Sequence, residues 1–221
     1  YLYKSIIYTS GKGKRMKSIS SGPKALIRLG EETILETILR NMPFEDSKTN
    51  IVFNDQSIKS FENNKIKYFQ ISETESQIES LFKSKDYLEN MFNFFICSCD
   101  CFGYFDQNIF RRLTMSKKFD IICFGFNPSL LQKMSNSNYS TLENIDHIVT
   151  KILVKKILNK SNMGLAGFFW INNGKKFVSM IDQFSNQIIN KGREIIIDDL
   201  VQYCIDLDCK VGLMELDNYY H

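Results

Sequence analysis

The sequence predicts an α/β fold, with a mostly parallel, mixed central sheet and helices on both faces in a Rossmann-like arrangement. Three observations predict it. Over residues 1–125, short β-branched and aromatic runs alternate with helix-periodic segments, the order that builds a parallel sheet. Asn93 to Cys99 is the most apolar run of the chain, as expected of a central strand buried on both faces. No internal repeat and no long linker divides the 221 residues, a length that suits one domain. Within it, the strand–helix alternation of residues 1–125 changes character over residues 126–221.

The elements follow in chain order. Lys4 to Thr9 is a first strand, ending in a Gly-, Ser- and Lys-rich stretch, Ser10 to Lys24. Thr33 to Met42 places Ile34, Leu35, Ile38, Leu39 and Met42 on one helix face. Thr33 followed three residues on by Glu36 is a capping-box signature. Asn50 to Phe53 is a strand, Gln56 to Phe61 a helix, Lys67 to Ile71 a strand and Gln77 to Tyr87 a helix. After the apolar run come a helix at Gln107 to Leu113, which Asp106 is placed to cap, and a strand at Asp120 to Phe124. Lys133 to Tyr139 is expected to be an exposed loop and His147 to Leu158 two strands or a hairpin. Leu165 to Ile171 is a strand, Gly174 to Asn190 and Ile197 to Ile205 are amphipathic helices, and Lys210 to Leu216 is a last strand.

Composition excludes several classes. Hydrophobic residues make up 43% and charged residues 24%, too globular for wholesale disorder. Three prolines and 11 glycines exclude collagen-like sequence. No apolar stretch reaches the roughly 18 residues a membrane helix needs, so no membrane partner is expected. A net charge of +3, with both signs interspersed, gives no reason to expect nucleic acid. Of the six cysteines, Cys97, Cys99 and Cys101 would share one face of a strand. With no secretory leader and no zinc-type spacing, buried reduced thiols and a cytoplasmic location are expected.

The chemistry is expected in the loop after the first strand, Ser10-Gly11-Lys12-Gly13-Lys14-Arg15-Met16, closed by Gly22-Pro23-Lys24. Gly11 and Gly13 let the backbone approach an anion and turn its amides toward it. Lys12, Lys14 and Arg15 supply mobile positive charge, the combination a triphosphate requires. This is neither a Walker loop, which needs Gly-Lys-Ser/Thr opening a helix, nor a dinucleotide loop, which needs a third glycine. A flexible surface loop is the plainer alternative. Asp100 is the second candidate. It follows the apolar strand at its carboxyl end, where an unpaired carboxylate is costly and a divalent cation completed by substrate phosphates would satisfy it.

Gly11, Gly13, Arg15, Pro23, Lys24 and Asp100, in that order, resemble the nucleotidyltransferases that make nucleoside-diphosphate sugars and related activated alcohols. Lys155, followed by Lys160-Ser161-Asn162 and then Gly167-Phe168-Phe169-Trp170, is similar to the acceptor half of the sugar-phosphate branch. The resemblance covers nearly the whole chain and implies a nucleotide-binding half over residues 1–125 and an acceptor-binding half over residues 126–221. It implies transfer of a nucleoside monophosphate from a triphosphate to a phosphorylated small molecule, releasing pyrophosphate, in the making of surface-polysaccharide precursors. It implies Mg²⁺ as cofactor and Arg15, Lys24 and Asp100 as catalytic residues. Ser10, Gly11, Lys12, Gly13, Lys14 and Gln77 would bind nucleotide, Lys155 and Gly167 the acceptor, and Asp100 with Asp217 the metal. A further domain or a second copy of the chain is an expected partner.

The departures from that pattern are specific. Tyr8-Thr9-Ser10 replaces small apolar residues, and Thr74-Glu75-Ser76-Gln77 replaces the usual turn against the nucleobase. Val154 stands where a hydroxyl-binding Glu is common, so an alcohol or amino-acid phosphate is expected as acceptor, with a sugar 1-phosphate the alternative. The resemblance implies cytidine triphosphate as donor, which members acting on non-sugar phosphates commonly use. Glu194, Asp198 and Asp199 would then meet a cationic group, or simply complement a helix dipole. Asp217 falls short of the usual second metal-binding position, and His221 stands nearer to it. A non-catalytic nucleotide-binding domain is the rival from another class. A glycosyltransferase is a second, disfavoured because Asp100-Cys101-Phe102 lacks the Asp-x-Asp metal pair.

Overall fold

A computed structural model describes residues 3–10, 22–42, 44–60, 63–130, 139–155, 162–187 and 194–220. Its strands are β1 (Tyr3–Tyr8), the small hairpin β2 (Arg28–Leu29) and β3 (Glu32–Thr33), β4 (Phe44–Phe53), β5 (Lys67–Gln70), β6 (Phe92–Ser98), β7 (Phe102–Tyr104), β8 (Ile121–Phe126), β9 (Thr141–Ile145), β10 (Ile148–Leu153), β11 (Met163–Asn173), β12 (Val211–Glu215) and β13 (Asn218–Tyr220). Its helices are α1 (Ile34–Asn41), α2 (Gln77–Lys83), α3 (Lys85–Glu89), α4 (Gln107–Met115), α5 (Gly174–Gln187) and α6 (Ile197–Asp206).

Among the described residues, nine strands form one sheet in the order β5-β4-β1-β6-β11-β8-β12-β10-β9. All of them run the same way except β10 and β11, so the mixed, mostly parallel sheet is as the sequence predicts. Period-2 alternation sends Ile6, Phe94 and Ile96 to one face, where α2, α3, α5 and α6 cover them. It sends Ile7, Phe95 and Cys97 to the other, under α1 and α4. Phe94, Phe95, Phe168, Phe169 and Trp170 are fully buried, each worth about 1.5–3 kcal/mol in apolar transfer. The rings interlock, with Phe124 4.5 Å from Phe168 and Phe95 5.3 Å from Phe110.

Local signals set the helix starts. Thr33 Oγ1 accepts from the Glu36 amide at 3.2 Å, and Glu36 accepts from the Thr33 amide at 2.6 Å, closing the capping box. Asp106 Oδ1 accepts from the amides of Asn108 and Ile109, which caps α4. The expected helix over Gln77 to Tyr87 is instead two helices broken at Ser84. Its hydroxyl donates to the carbonyls of Ser80 and Leu81 and shares a bond with Tyr8 Oη, so it competes with the backbone ladder there. The hairpin expected at His147 to Leu158 begins earlier. Its first strand is β9, and Asp146 and His147 form the turn with φ of 49° and 62°. Of the expected loop, 133–138 lies outside the described residues, and Tyr139 is half-buried against Phe126.

Candidate active site

Strand order creates the site. The chain lays down β1, moves outward to β4 and β5, and then crosses back to place β6 on the other side of β1. The segments that leave the carboxyl ends of β1 and β6 therefore diverge, and a crevice opens there. Ser10 leaves β1 and Asp100 leaves β6 at that crevice. Lys24, N-terminal residue of a short 3₁₀ turn, reaches across and donates through Nζ to Asp100 Oδ2. Ser98 Oγ donates to the other carboxylate oxygen. Lys24 and Asp100, 76 positions apart in sequence, thus form an ion pair with side chains 26% and 21% exposed. It is sheltered but open to solvent and to a ligand.

The β1 exit is held by hydroxyls and amides. Thr9 donates to the Val52 carbonyl through both its amide and its side chain. The Ser10 hydroxyl shares a 2.8 Å bond with Ser80 on α2, and Ser80 shares one of 2.9 Å with Thr74. Asn54 Nδ2 donates to the Ser10 carbonyl at 3.1 Å. Ser10 and Thr74 are buried, so this network fixes where the loop begins. Gly11, Lys12, Gly13, Lys14 and Arg15 lie outside the described residues. Gln77 is exposed, and its side-chain oxygen accepts from the Ile197 amide at 3.4 Å, linking α2 to the start of α6.

The second half of the chain supplies the far wall. Tyr219 stacks on Phe126 at 4.1 Å, with Tyr139 6.4 Å from it. Burial raises the pKa of both phenols, and the negative charge of Asp100 adds to the rise. The negative charge of Asp198 acts on Tyr219 in the same sense. Ser140 Oγ donates to Asp198 at 2.5 Å and accepts from the Lys155 amide at 3.3 Å. Lys155 has φ of 49°, a left-handed conformation uncommon for a residue other than glycine. Asp199, 4% exposed, turns back to accept from the Ile196 amide at its own helix start, and Glu194 is exposed. Of the three acids expected near a cationic group, Asp198 is the one that Ser140 ties to this wall.

Gly167 sits on β11, where a Cβ would come within 2.7 Å of Cys101 Sγ. Its bareness lets β11 close on the turn that carries Asp100. Asp217 is exposed, and its amide donates to the Tyr104 carbonyl between β12 and β13. His221 lies outside the described residues. Cys97, Cys99 and Cys101 pack on one face as expected. Burial pushes the Cys97 thiol up and the Cys99 thiol up to about 12, so both stay protonated. Among the described residues no group of three or more His, Cys, Asp or Glu side chains gathers to cage a metal. A single carboxylate such as Asp100 does fit an ion whose remaining positions go to substrate phosphates and water. Sequence reasoning missed Ser80, Tyr139, Ser140 and Tyr219, which carry no motif; Thr74 belongs to the departure already noted, Thr74 to Gln77, and Ser80 follows it.

The lysine–aspartate pair thus stands at a switch-point crevice, the place where open α/β sheets bind ligands. No protein-family model and no curated protein sequence matches the chain. Solved structures do. An inositol-1-phosphate CTP transferase from T. maritima superimposes with a TM-score of 0.73 at 18% identity, over 97% of this chain and 85% of that one. A CTP:phosphocholine cytidylyltransferase from Streptococcus pneumoniae gives 0.72 at 20% identity, over 100% and 93%. A nucleoside-diphosphate-sugar pyrophosphorylase from Vibrio cholerae gives 0.72 at 12% identity, over 96% and 91%. The chain has the nucleotidyltransferase fold. Among the described residues no helix is long and apolar enough to cross a membrane.

Proposed function

We propose that this protein is a nucleotidyltransferase. It moves a nucleoside monophosphate from a triphosphate, cytidine triphosphate by preference, to a phosphorylated non-sugar acceptor, and releases pyrophosphate. The observation that carries the reading is the Lys24–Asp100 pair at the crevice between β1 and β6. The resemblance of the Gly11 to Lys24 segment and the shared fold support it.

In the proposed reaction an acceptor phosphate oxygen attacks the α-phosphorus in line, and the bond to the bridging oxygen of pyrophosphate breaks. The attacking phosphate is already ionised at neutral pH, so no general base is required. Catalysis is then positioning plus stabilisation of developing charge. Lys24 leaves Asp100 for the α-phosphate. The amides of Gly11 and Gly13, with Lys12, Lys14 and Arg15, hold the triphosphate. Lys155 holds the acceptor phosphate, and its strained backbone fixes where its side chain starts. Asp100 would hold Mg²⁺, with Asp217 the second candidate ligand, and the ion would supply positive charge to the departing pyrophosphate.

Asp198, hydrogen-bonded by Ser140 and near enough to act on Tyr219, favours an acceptor with a cationic end. Val154 leaves sugar hydroxyls without a partner at its position, and each buried unpaired hydroxyl costs about 1–3 kcal/mol. The test is a pyrophosphate-release screen of the four triphosphates against sugar 1-phosphates and amine-bearing phosphates. Release with cytidine triphosphate and an amine-bearing phosphate is expected. Efficient release with glucose 1-phosphate alone overturns the acceptor assignment, and release with no pair overturns the reaction.

A further inference from the structure

Away from the crevice, the turn that ends α6 brings two cysteines together. The Cys209 amide donates to the Cys204 carbonyl at 2.9 Å, Asp208 between them takes a φ of 59°, and the Asp208 amide donates to the Ile205 carbonyl at 3.0 Å. This is a Schellman closure, which sets the side chains at its two ends against each other. In most proteins that contact is between apolar residues. Here it is between thiols, Cys204 and Cys209, whose side chains line the same cleft.

The two sulfurs differ in access. Cys204 is fully buried and Cys209 half-buried. Both line a shallow cleft with Asp120, Lys176, Phe177 and Met180. Lys176 is held there by a 2.8 Å ion pair with Asp120. The Cys204 hydrogen bond lowers the Cys209 thiol, Lys176 adds to that, and burial with the Asp120 and Asp208 charges opposes it; the balance holds Cys209 at about 7. The same hydrogen bond, together with burial, pushes Cys204 up. Cys97, Cys99, Cys101 and Cys123 are buried and shifted upward by desolvation. One sulfur is therefore an accessible nucleophile and its neighbour a protonated reserve.

We propose that Cys209 and Cys204 form a thiol modification site for hydroperoxides, with Cys209 the attacking sulfur and Cys204 the resolving one. The Cys209 thiolate attacks a peroxide oxygen, the O–O bond breaks, and hydroxide leaves as the sulfur becomes a sulfenic acid. The Cys204 sulfur then attacks that sulfur, the S–O bond breaks, water leaves with the Cys204 proton, and a disulfide closes across the end of α6. Peroxide takes up the two electrons that the two thiols give.

The test uses the full chain with stoichiometric hydrogen peroxide, followed by digestion and mass spectrometry. A peptide joining Cys204 to Cys209, lighter by two hydrogens and restored by dithiothreitol, is expected. Brief alkylation at neutral pH should label Cys209 at least ~10-fold faster than any other cysteine, because thiolate fraction and access set the rate. Cys204→Ser should leave a sulfenic acid on Cys209 that dimedone traps, and Cys209→Ser, at a half-buried position, should lose both adduct and crosslink. Oxidation confined to methionines, or labelling of Cys209 no faster than that of Cys97, would mean the contact is only packing and would overturn the proposal. So would a crosslink that joins any other pair first.

Discussion

Replacing Lys24 with Met, or Asp100 with Asn, separates a catalytic pair from a structural one. The side chains are 26% and 21% exposed, so water and salt reach the pair. A pair of that kind contributes about 0.2–1 kcal/mol to stability. In a chain of this size that is about 2–4 °C in Tm per kcal/mol. The Asp100 carboxylate also keeps the Ser98 hydroxyl as donor when Lys24 is removed, and the amide introduced by Asp100→Asn would keep the acceptor oxygen that Ser98 needs. Neither substitution should therefore unfold the protein. The cost to the reaction is of another order. Removing one preorganised group that faces developing charge costs about 2.7–4 kcal/mol, or ~10²–10³ in kcat. Each variant should lose at least ~10²-fold in kcat and only a few degrees in Tm, the second being the ion-pair magnitude. Pyrophosphate release and thermal melting on the same preparations give both numbers. If the pair were only an ion pair, both singles would lose stability, the double variant would recover it, and kcat would follow the folded fraction. Turnover within a factor of about three of the parent in either single variant, well short of the loss expected for a group facing the transition state, would refute the reasoning.

Three further outcomes are expected. Asp198→Asn should raise KM for an amine-bearing phosphate by at least ~10-fold, a loss typical of one charge-assisted contact, and leave KM for the triphosphate unchanged. Asp199→Asn should change neither and cost about 1 kcal/mol of stability as a weakened helix start; initial-rate kinetics and urea unfolding distinguish them. Gly174→Ala places a Cβ 1.9 Å from the Leu88 carbonyl oxygen and 2.8 Å from that of Met91, so urea unfolding should show a loss beyond the ~1–3 kcal/mol of ordinary overpacking. The hydrogen bonds from Thr33 hold the Glu36 carboxyl below its usual range. Its stabilisation is therefore present above the unfolded carboxylate pKa and lost as pH falls through the folded value. The Tm gap between the parent and Glu36→Gln should be open at neutral pH and close in acid.

Where a feature was written in neighbouring residues, the sequence showed it. Thr33 with Glu36 and Asp106 before Gln107 announced helix starts because a cap is satisfied within three residues. The Phe94 to Cys97 run announced a central strand because both its faces are buried. β9 gave no such signal. Its Glu143, Asn144 and Ile145 are all exposed, so no apolar alternation marks it, and the turn falls on Asp146-His147 rather than on a glycine. β13 is three residues long and exists only by pairing with β7, far away in sequence. The break at Ser84 depends on Tyr8, a residue of another element altogether.

The same distinction divides the candidate site. Asp100 was legible because a carboxylate at the end of a buried strand needs a reason, and the strand is local. Its meeting with Lys24 was not written in either residue. It follows from the order in which β1, β4, β5 and β6 are laid down, since only the return across β1 places the two exits side by side. The far wall depends on still longer routes. Tyr219 reaches Phe126 because β13 pairs with β7, which immediately follows Asp100, and Ser140 reaches Asp198 because β9 joins β11 at Gly164. Gly164 has no room for a side chain, since a Cβ there would stand 2.3 Å from the Phe126 ring. The same ring that Tyr219 stacks on thus sets how closely β11 can pack, and a bare glycine and one phenylalanine fix the spacing of this wall. The residues proposed to hold phosphate stand out in the sequence by their charge and spacing. The residues proposed to face an acceptor are commonplace singly, and acquire meaning only when the sheet brings them together.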